Sequence, residues 1–65
     1  MKYDPEIYGK FVELRDDDGH RYRVPTERAE EFDTLMQAIW DSKFGTDAWY
    51  DANDNLDAAF HEFMF

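Results

Sequence analysis

The sequence predicts an α+β domain in which an N-terminal β-hairpin packs against two antiparallel α-helices. Apolar and aromatic residues alternate with charged ones over residues 10–24, which is typical of strands, whereas after Pro25 they recur at helical spacing. Two glycines indicate turns: Gly19 lies between the strand-like runs and Gly45 between the helical ones. At 65 residues, the chain is expected to form one small acidic domain over residues 1–65.

The composition limits how such a short chain is stabilised. It has no cysteine, which excludes disulfides and thiolate metal sites. Aromatic residues make up 18% of the chain, and large rings bury much area per residue. No apolar run approaches the roughly 20 residues of a membrane span, and the N-terminal residues lack the apolar core of a signal peptide. A soluble, cytoplasmic protein is therefore predicted.

The charge is negative and unevenly distributed. The formal net charge is −9; residues 1–23 carry six acids against five bases, and residues 24–65 carry ten acids against two bases. Direct binding to nucleic-acid phosphates needs Lys and Arg, so this class of function is not expected. A basic partner protein is the natural complement of such a surface.

A single helical turn is predicted before the hairpin. Asp4 and Pro5 are typical of a cap and a first helical residue, and Gly9 ends the turn after residues 5–8. Three residues of this region are expected to lie against the core: Tyr3, Ile7 and Tyr8.

The hairpin is predicted over residues 10–24, which are rich in β-branched and aromatic residues. The run Asp16-Asp17-Asp18-Gly19 is the turn, where Gly19 supplies a positive φ angle. Because a lone hairpin is only marginally stable in water, helices must cover one of its faces. The residues expected on the covered face are Val12, Leu14, His20, Tyr22 and Val24.

The first long helix is predicted over residues 27–44, with Thr26 as its N-cap, Lys43 in its last turn and Gly45 just after its end. Its core-facing residues recur at helical spacing: Ala29, Phe32, Leu35, Met36, Ile39 and Trp40. Its outward face carries four carboxylates: Glu27, Glu30, Glu31 and Asp41.

The second long helix is predicted over residues 47–63, with Thr46 as its N-cap. The short link between the helices indicates a helical hairpin. Residues 53–55 are poor helix formers and are expected to break the helix in two. Its core-facing residues are Ala48, Trp49, Ala52, Leu56, Ala59, Phe60 and Phe63, and its opposite face carries Asp47, Asp51, Asp54 and Asp57.

No motif in the sequence is typical of an enzyme. The chain has neither an HExxH pattern nor a glycine-rich phosphate loop, and Ser42 is its only serine. A histidine beside a carboxylate can act as a general base, but His20 and His61 are interpreted as surface residues. We therefore expect no catalytic residue.

One imperfect metal-binding pattern is present. Four residues match positions 1, 3, 5 and 12 of an EF-hand calcium loop: Asp51, Asn53, Asn55 and Glu62. Leu56 stands at the sixth position, where such a loop needs glycine for its sharp turn. Helical periodicity explains the same residues better, so no metal and no cofactor are predicted.

The acidic helix faces are the main functional signal. Residues three and four apart on a helix repeat about every 5 Å along its axis. The second helix therefore presents a row of negative charge, formed by Asp47, Asp51, Asp54 and Asp57. An adjoining row is formed by Glu27, Glu30, Glu31 and Asp41, and the hairpin turn offers another contact through Asp16, Asp17 and Asp18. Duplex DNA also presents two rows of closely spaced negative charge, so the predicted partner is a basic DNA-binding surface.

In its size, acidity, aromatic content and lack of cysteine, and in the carboxylates just named, the whole chain resembles small phage-encoded anti-CRISPR proteins of the DNA-mimic type. The resemblance implies an inhibitor of a type I effector complex, such as subtype I-C, in the cytoplasm of the bacterial host. It implies binding at the surface that reads the protospacer-adjacent motif or holds DNA. It implies neither catalysis nor a cofactor, and we expect the protein to act as a monomer.

Other functions remain open. The chain also fits an acidic interaction module, such as an antitoxin or regulator, whose basic partner does not bind DNA. It also fits an accessory subunit that docks through its apolar residues 63–65. Finally, an acidic face keeps many soluble proteins dispersed without binding anything.

Overall fold

The computed structural model describes residues 3–65 and confirms the α+β class. A two-stranded antiparallel sheet is followed by two long helices that pack against each other. The elements are the short helix α1 (Pro5–Tyr8), the strands β1 (Phe11–Arg15) and β2 (Arg21–Pro25), a 3₁₀ turn (Thr26–Arg28), the helices α2 (Ala29–Asp41) and α3 (Asp47–Phe60), and a second 3₁₀ turn (His61–Phe63).

The two strands of the hairpin pair in the register that their alternation of apolar and charged residues predicts. Val12 lies opposite Val24 and Leu14 opposite Tyr22, which places the apolar residues of both strands on one face. Gly19 has a φ angle of 85°, which only glycine adopts without strain. His20 was expected on the covered face but is exposed, because it follows Gly19 in the turn.

The C-terminal residues add an interaction that the sequence does not reveal. Met64 forms an isolated antiparallel bridge with Tyr22, and the backbone amide of Phe65 donates a hydrogen bond to the carbonyl of Arg21 at 2.9 Å. The end of the chain therefore lies along the outer edge of β2, while Phe63 and Met64 pack against the core.

A chain of aromatic contacts connects the sheet with both helices. The rings of Tyr22 and Phe32 have centroids 5.1 Å apart, and those of Phe32 and Phe60 are 5.2 Å apart. Phe32 is 1% exposed and Phe60 is completely buried. Because these rings join β2, α2 and α3, the core depends on a few large side chains.

Thr26 is not the helix cap that the sequence suggests. Its side chain is buried and its hydroxyl donates a hydrogen bond to the carbonyl of Gly9 at 2.6 Å, which ties the start of α2 to the end of the N-terminal turn. A 3₁₀ turn therefore precedes α2, whose first residue is Ala29 rather than residue 27.

The other helix boundaries also differ from the prediction. The extended backbone of Ser42 ends α2 at Asp41, so Lys43 lies in the link rather than in the last turn. Thr46 does cap α3, accepting a hydrogen bond from the Trp49 amide at 3.3 Å. The predicted break at residues 53–55 was wrong, since the Asn53 side-chain amide donates to the Trp49 carbonyl at 2.9 Å within an unbroken helix.

Several residues predicted to be buried are exposed. Ile7 is 77% exposed and Tyr8 is 47% exposed, whereas Tyr3 packs against the core as expected. Trp40 is 67% exposed because it lies at the border of the apolar face of α2, beyond Ile39. Ala48, in the first turn of α3, is also exposed. Within residues 3–65, the structure contains no helix with the length and apolar character needed to span a membrane.

Candidate protein-interaction site

The carboxylate row of α3 consists of Asp47, Asp51, Asp54 and Asp57, all of them exposed. Because α3 is unbroken, the row keeps its helical spacing and extends about 15 Å along the axis. Within residues 3–65, no basic side chain lies at salt-bridge distance from the first three. Asp57 is paired with His61, whose Nδ1 lies 3.2 Å from the carboxylate.

The acidic side chains on or just before the neighbouring helix α2 are also exposed, but two of them accept hydrogen bonds within the protein. Glu31 accepts a hydrogen bond from the Arg28 guanidinium at 3.0 Å, and Asp41 accepts one from the Gln37 side chain at 2.9 Å. Glu27, in the preceding 3₁₀ turn, and Glu30 are both exposed. This second row is therefore accessible, but part of its hydrogen-bonding capacity is already used.

In the hairpin turn, Asp16 faces inward, with a side chain that is 7% exposed. Its Oδ1 accepts hydrogen bonds from the backbone amides of Asp18 at 3.0 Å and His20 at 2.9 Å. The Tyr22 hydroxyl donates to its Oδ2 at 3.0 Å, and His20 Nδ1 lies 3.1 Å from the same atom. The Asp16 side chain therefore stabilises the turn through these hydrogen bonds. Any contact of the turn with a partner would involve Asp17 and Asp18 instead.

These contacts change the acidity of the turn. Burial raises the pKa of Asp16, but hydrogen bonds from the His20 amide, the Tyr22 hydroxyl and the His20 ring outweigh it, so this pKa lies below its usual range. Burial and the nearby Asp18 charge raise the pKa of Asp17. Within the described chain, Asp17 Oδ1 is buried without a hydrogen-bond partner, while Asp18 is exposed.

Replacing Asp16 with asparagine should lower the free energy of unfolding by about 1–3 kcal/mol at neutral pH, because the Tyr22 hydroxyl loses a charged acceptor. The pKa of Asp16 is lower in the folded than in the unfolded state. Its contribution is therefore complete above the unfolded-state pKa of about 3.9 and is lost as the pH falls below it. Urea unfolding from about pH 7 to about pH 3 should show the difference between the two proteins shrinking in acid. A pH-independent difference would contradict this role.

An aromatic patch adjoins the carboxylate row and is formed by the exposed Phe44 and Tyr50 and the partly buried Trp49. The ring centroids of Phe44 and Trp49 are 4.7 Å apart, and those of Trp49 and Tyr50 are 5.1 Å apart. Phe44 is 80% exposed and Tyr50 is 56% exposed. Tyr50 follows Asp47 by three residues and precedes Asp54 by four, so all three share one side of α3.

Trp49 packs against the core as the sequence predicts, although it is only partly buried. The sequence analysis gave no role to Phe44 and Tyr50. The missed signal is position: Phe44 lies in the inter-helix link and Tyr50 is off the apolar stripe of α3. Large rings at such places have no core to enter.

The residues that match a calcium loop in the sequence lie in α3 and in the 3₁₀ turn after it. Residues 51–60 are helical, which is incompatible with an EF-hand loop over residues 51–62. Across residues 3–65, no three His, Asp or Glu side chains are grouped so that they could hold a metal ion. The groups that α3 and the α2–α3 link offer to a partner are therefore accessible carboxylates and aromatic rings.

Comparison of the chain with protein-family models, with curated proteins and with solved structures gives no match. The function is therefore inferred from the geometry and charge of these residues.

Proposed function

We propose that this protein is a DNA-mimicking inhibitor that binds a basic DNA-binding surface of a bacterial defence complex. The observation that carries the proposal is the carboxylate row of α3. Asp47, Asp51 and Asp54 are exposed, regularly spaced and without a basic partner in the described chain. A surface that normally holds phosphates with Lys and Arg would find similarly repeated negative charge there.

The second row extends this negative surface beyond one helix. Glu27, Glu30, Glu31 and Asp41 are exposed on or just before α2, which packs against α3. Because both helices turn their apolar sides toward one core, these acids are exposed to solvent. In this proposal the two rows take the place of the two phosphate strands of a duplex.

The partner we favour is the subunit of a type I CRISPR effector that reads the protospacer-adjacent motif or holds DNA. In this proposal the protein acts as a monomer in the bacterial cytoplasm, without catalysis or a cofactor. Its effect would be to prevent entry of target DNA. The net charge of −9 would speed association with such a basic surface and make binding weaker at high salt.

The proposal is tested by retaining partner proteins from a bacterial lysate on the immobilised chain at low salt. We expect a duplex DNA oligonucleotide to release the retained partner, because both ligands would use the same basic groups. A partner that stays bound in the presence of saturating DNA would contradict mimicry.

A specific observation favours a second candidate, an interaction module whose basic partner does not bind DNA. The aromatic patch is not needed to imitate phosphates, whereas an exposed Tyr ring such as Tyr50 is typical of protein–protein contact centres. Replacing Phe44 and Tyr50 with alanine distinguishes the candidates. An interaction module should lose most of its affinity, whereas a mimic that acts through its carboxylates should retain most of it.

A further inference from the structure

The face of the hairpin that points away from the core is positively charged, unlike the rest of the molecule. Since Val12, Tyr22 and Val24 are buried, the alternate residues of both strands point outward. These are Phe11, Glu13, Arg15, Arg21 and Arg23, and all five are exposed. Three arginines and one glutamate therefore share this face.

A groove of about 1030 Å³ lies beside these residues. It is lined by the apolar Phe11, Phe63 and Phe65 and by Lys10 and Arg23, among others. The Arg23 guanidinium lies over the Phe11 ring at 5.0 Å, and the Arg21 guanidinium lies over the Phe65 ring at 5.3 Å. Stacking on a ring holds an arginine in place. Arg21 Nη1 also lies 3.8 Å from Glu13 Oε1, whereas within residues 3–65 Arg23 has no carboxylate at salt-bridge distance.

We propose that this groove binds a short peptide segment of a partner protein that carries carboxylates and large apolar side chains. Arg23 and Lys10 would pair with the carboxylates, and a planar guanidinium suits bidentate pairing. The exposed portions of Phe11 and Phe65 would contact the apolar side chains. This surface is separate from the carboxylate row, so the inference does not depend on the function proposed above.

The charges around the groove favour a peptide over other occupants. Glu13 and Glu62 also line it, so a nucleic-acid strand with a phosphate at every nucleotide would meet repulsion that a peptide of mixed character avoids. A second copy of this chain would bring like charges together if the two copies met through this face. Arg15 and Arg21 are exposed on the adjoining face, so four basic side chains stand against these two acids. This excess of positive charge favours an acidic, partly apolar segment.

The test measures fluorescence anisotropy of a short, labelled, end-blocked peptide in which glutamate alternates with leucine and phenylalanine. We expect saturable binding that weakens at least about tenfold in Arg23→Glu and in Lys10→Glu. Lys43→Glu makes the same charge change at an exposed position in the α2–α3 link and should alter affinity less than about twofold. Thermal melting checks each variant, and Lys10→Glu decides the result if Arg23→Glu does not fold.

Three results would overturn the inference. The first is no saturable binding of the peptide to the wild-type chain. The second is an equal loss of affinity in Lys43→Glu, which would show that only net charge matters. The third is tighter binding of a single-stranded oligonucleotide than of the peptide, which would assign the groove to nucleic acid.

Discussion

Replacing Phe60 with alanine is expected to remove a large part of the free energy that stabilises the folded protein. Phe60 is completely buried, and its ring contacts those of Phe32 and Phe63, with centroids 5.2 and 6.0 Å away. The Arg28 guanidinium also lies over it at 4.7 Å. Loss of such a ring costs about 3–5 kcal/mol, whereas a domain of this size is stabilised by only about 3–10 kcal/mol in total.

Urea unfolding followed by circular dichroism measures this effect. The matched control is Phe44→Ala, which makes the same change at a side chain that is 80% exposed and should cost less than about 1 kcal/mol. Leu35→Ala should fall between them, because Leu35 is only partly buried beside the core. If Phe60→Ala and Phe44→Ala had equal free energies of unfolding, the assignment of the core would be wrong.

Changing Asp47, Asp51 and Asp54 together to asparagine is expected to abolish partner binding without unfolding the protein. Breaking one desolvated charge pair costs about 2–5 kcal/mol, so even incomplete burial of three pairs should weaken binding more than about 100-fold. The fold should survive because the three carboxylates are exposed. Replacing them with neutral amides also removes the repulsion between them. Binding and melting are measured on the same preparations.

The matched control replaces Glu6, Glu13 and Glu62 with glutamine, which changes the net charge by the same amount as the three aspartate substitutions. These side chains are exposed and lie outside both acidic rows. The control should retain nearly all of the affinity, apart from a small loss of long-range attraction. Equal losses in both triple variants would mean that net charge, rather than the carboxylate row, drives binding.

Periodicity and turn chemistry were enough to predict the α+β class, the hairpin and the two long helices. They could not predict the role of Thr26. Its hydroxyl donates a hydrogen bond to the Gly9 carbonyl instead of capping its own helix, and this contact joins residues 17 apart in sequence. Nor could they predict that α3 continues unbroken through Asn53. There, a side-chain hydrogen bond and the burial of the neighbouring Ala52 and Leu56 outweigh the weak helix propensity.

The candidate site was predictable in part. Helical spacing was enough to predict that Asp47, Asp51 and Asp54 are exposed, because it separates the apolar and acidic sides of α3. It could not distinguish Asp16, turned inward to bond Tyr22, from its exposed neighbour Asp18. The positive face of the hairpin was hidden for a similar reason, since a small net charge over residues 1–23 gives no indication that its arginines share one side of a sheet.

The most direct test of DNA mimicry uses the purified partner and a fluorescent DNA duplex. The apparent Kd of the partner for DNA is measured at increasing concentrations of this protein. We predict that the apparent Kd rises linearly with the protein concentration without reaching a plateau, because the two ligands exclude each other. An unchanged Kd, or a plateau at which DNA and the protein are bound together, would contradict the proposal that the carboxylate row occupies the DNA-binding surface.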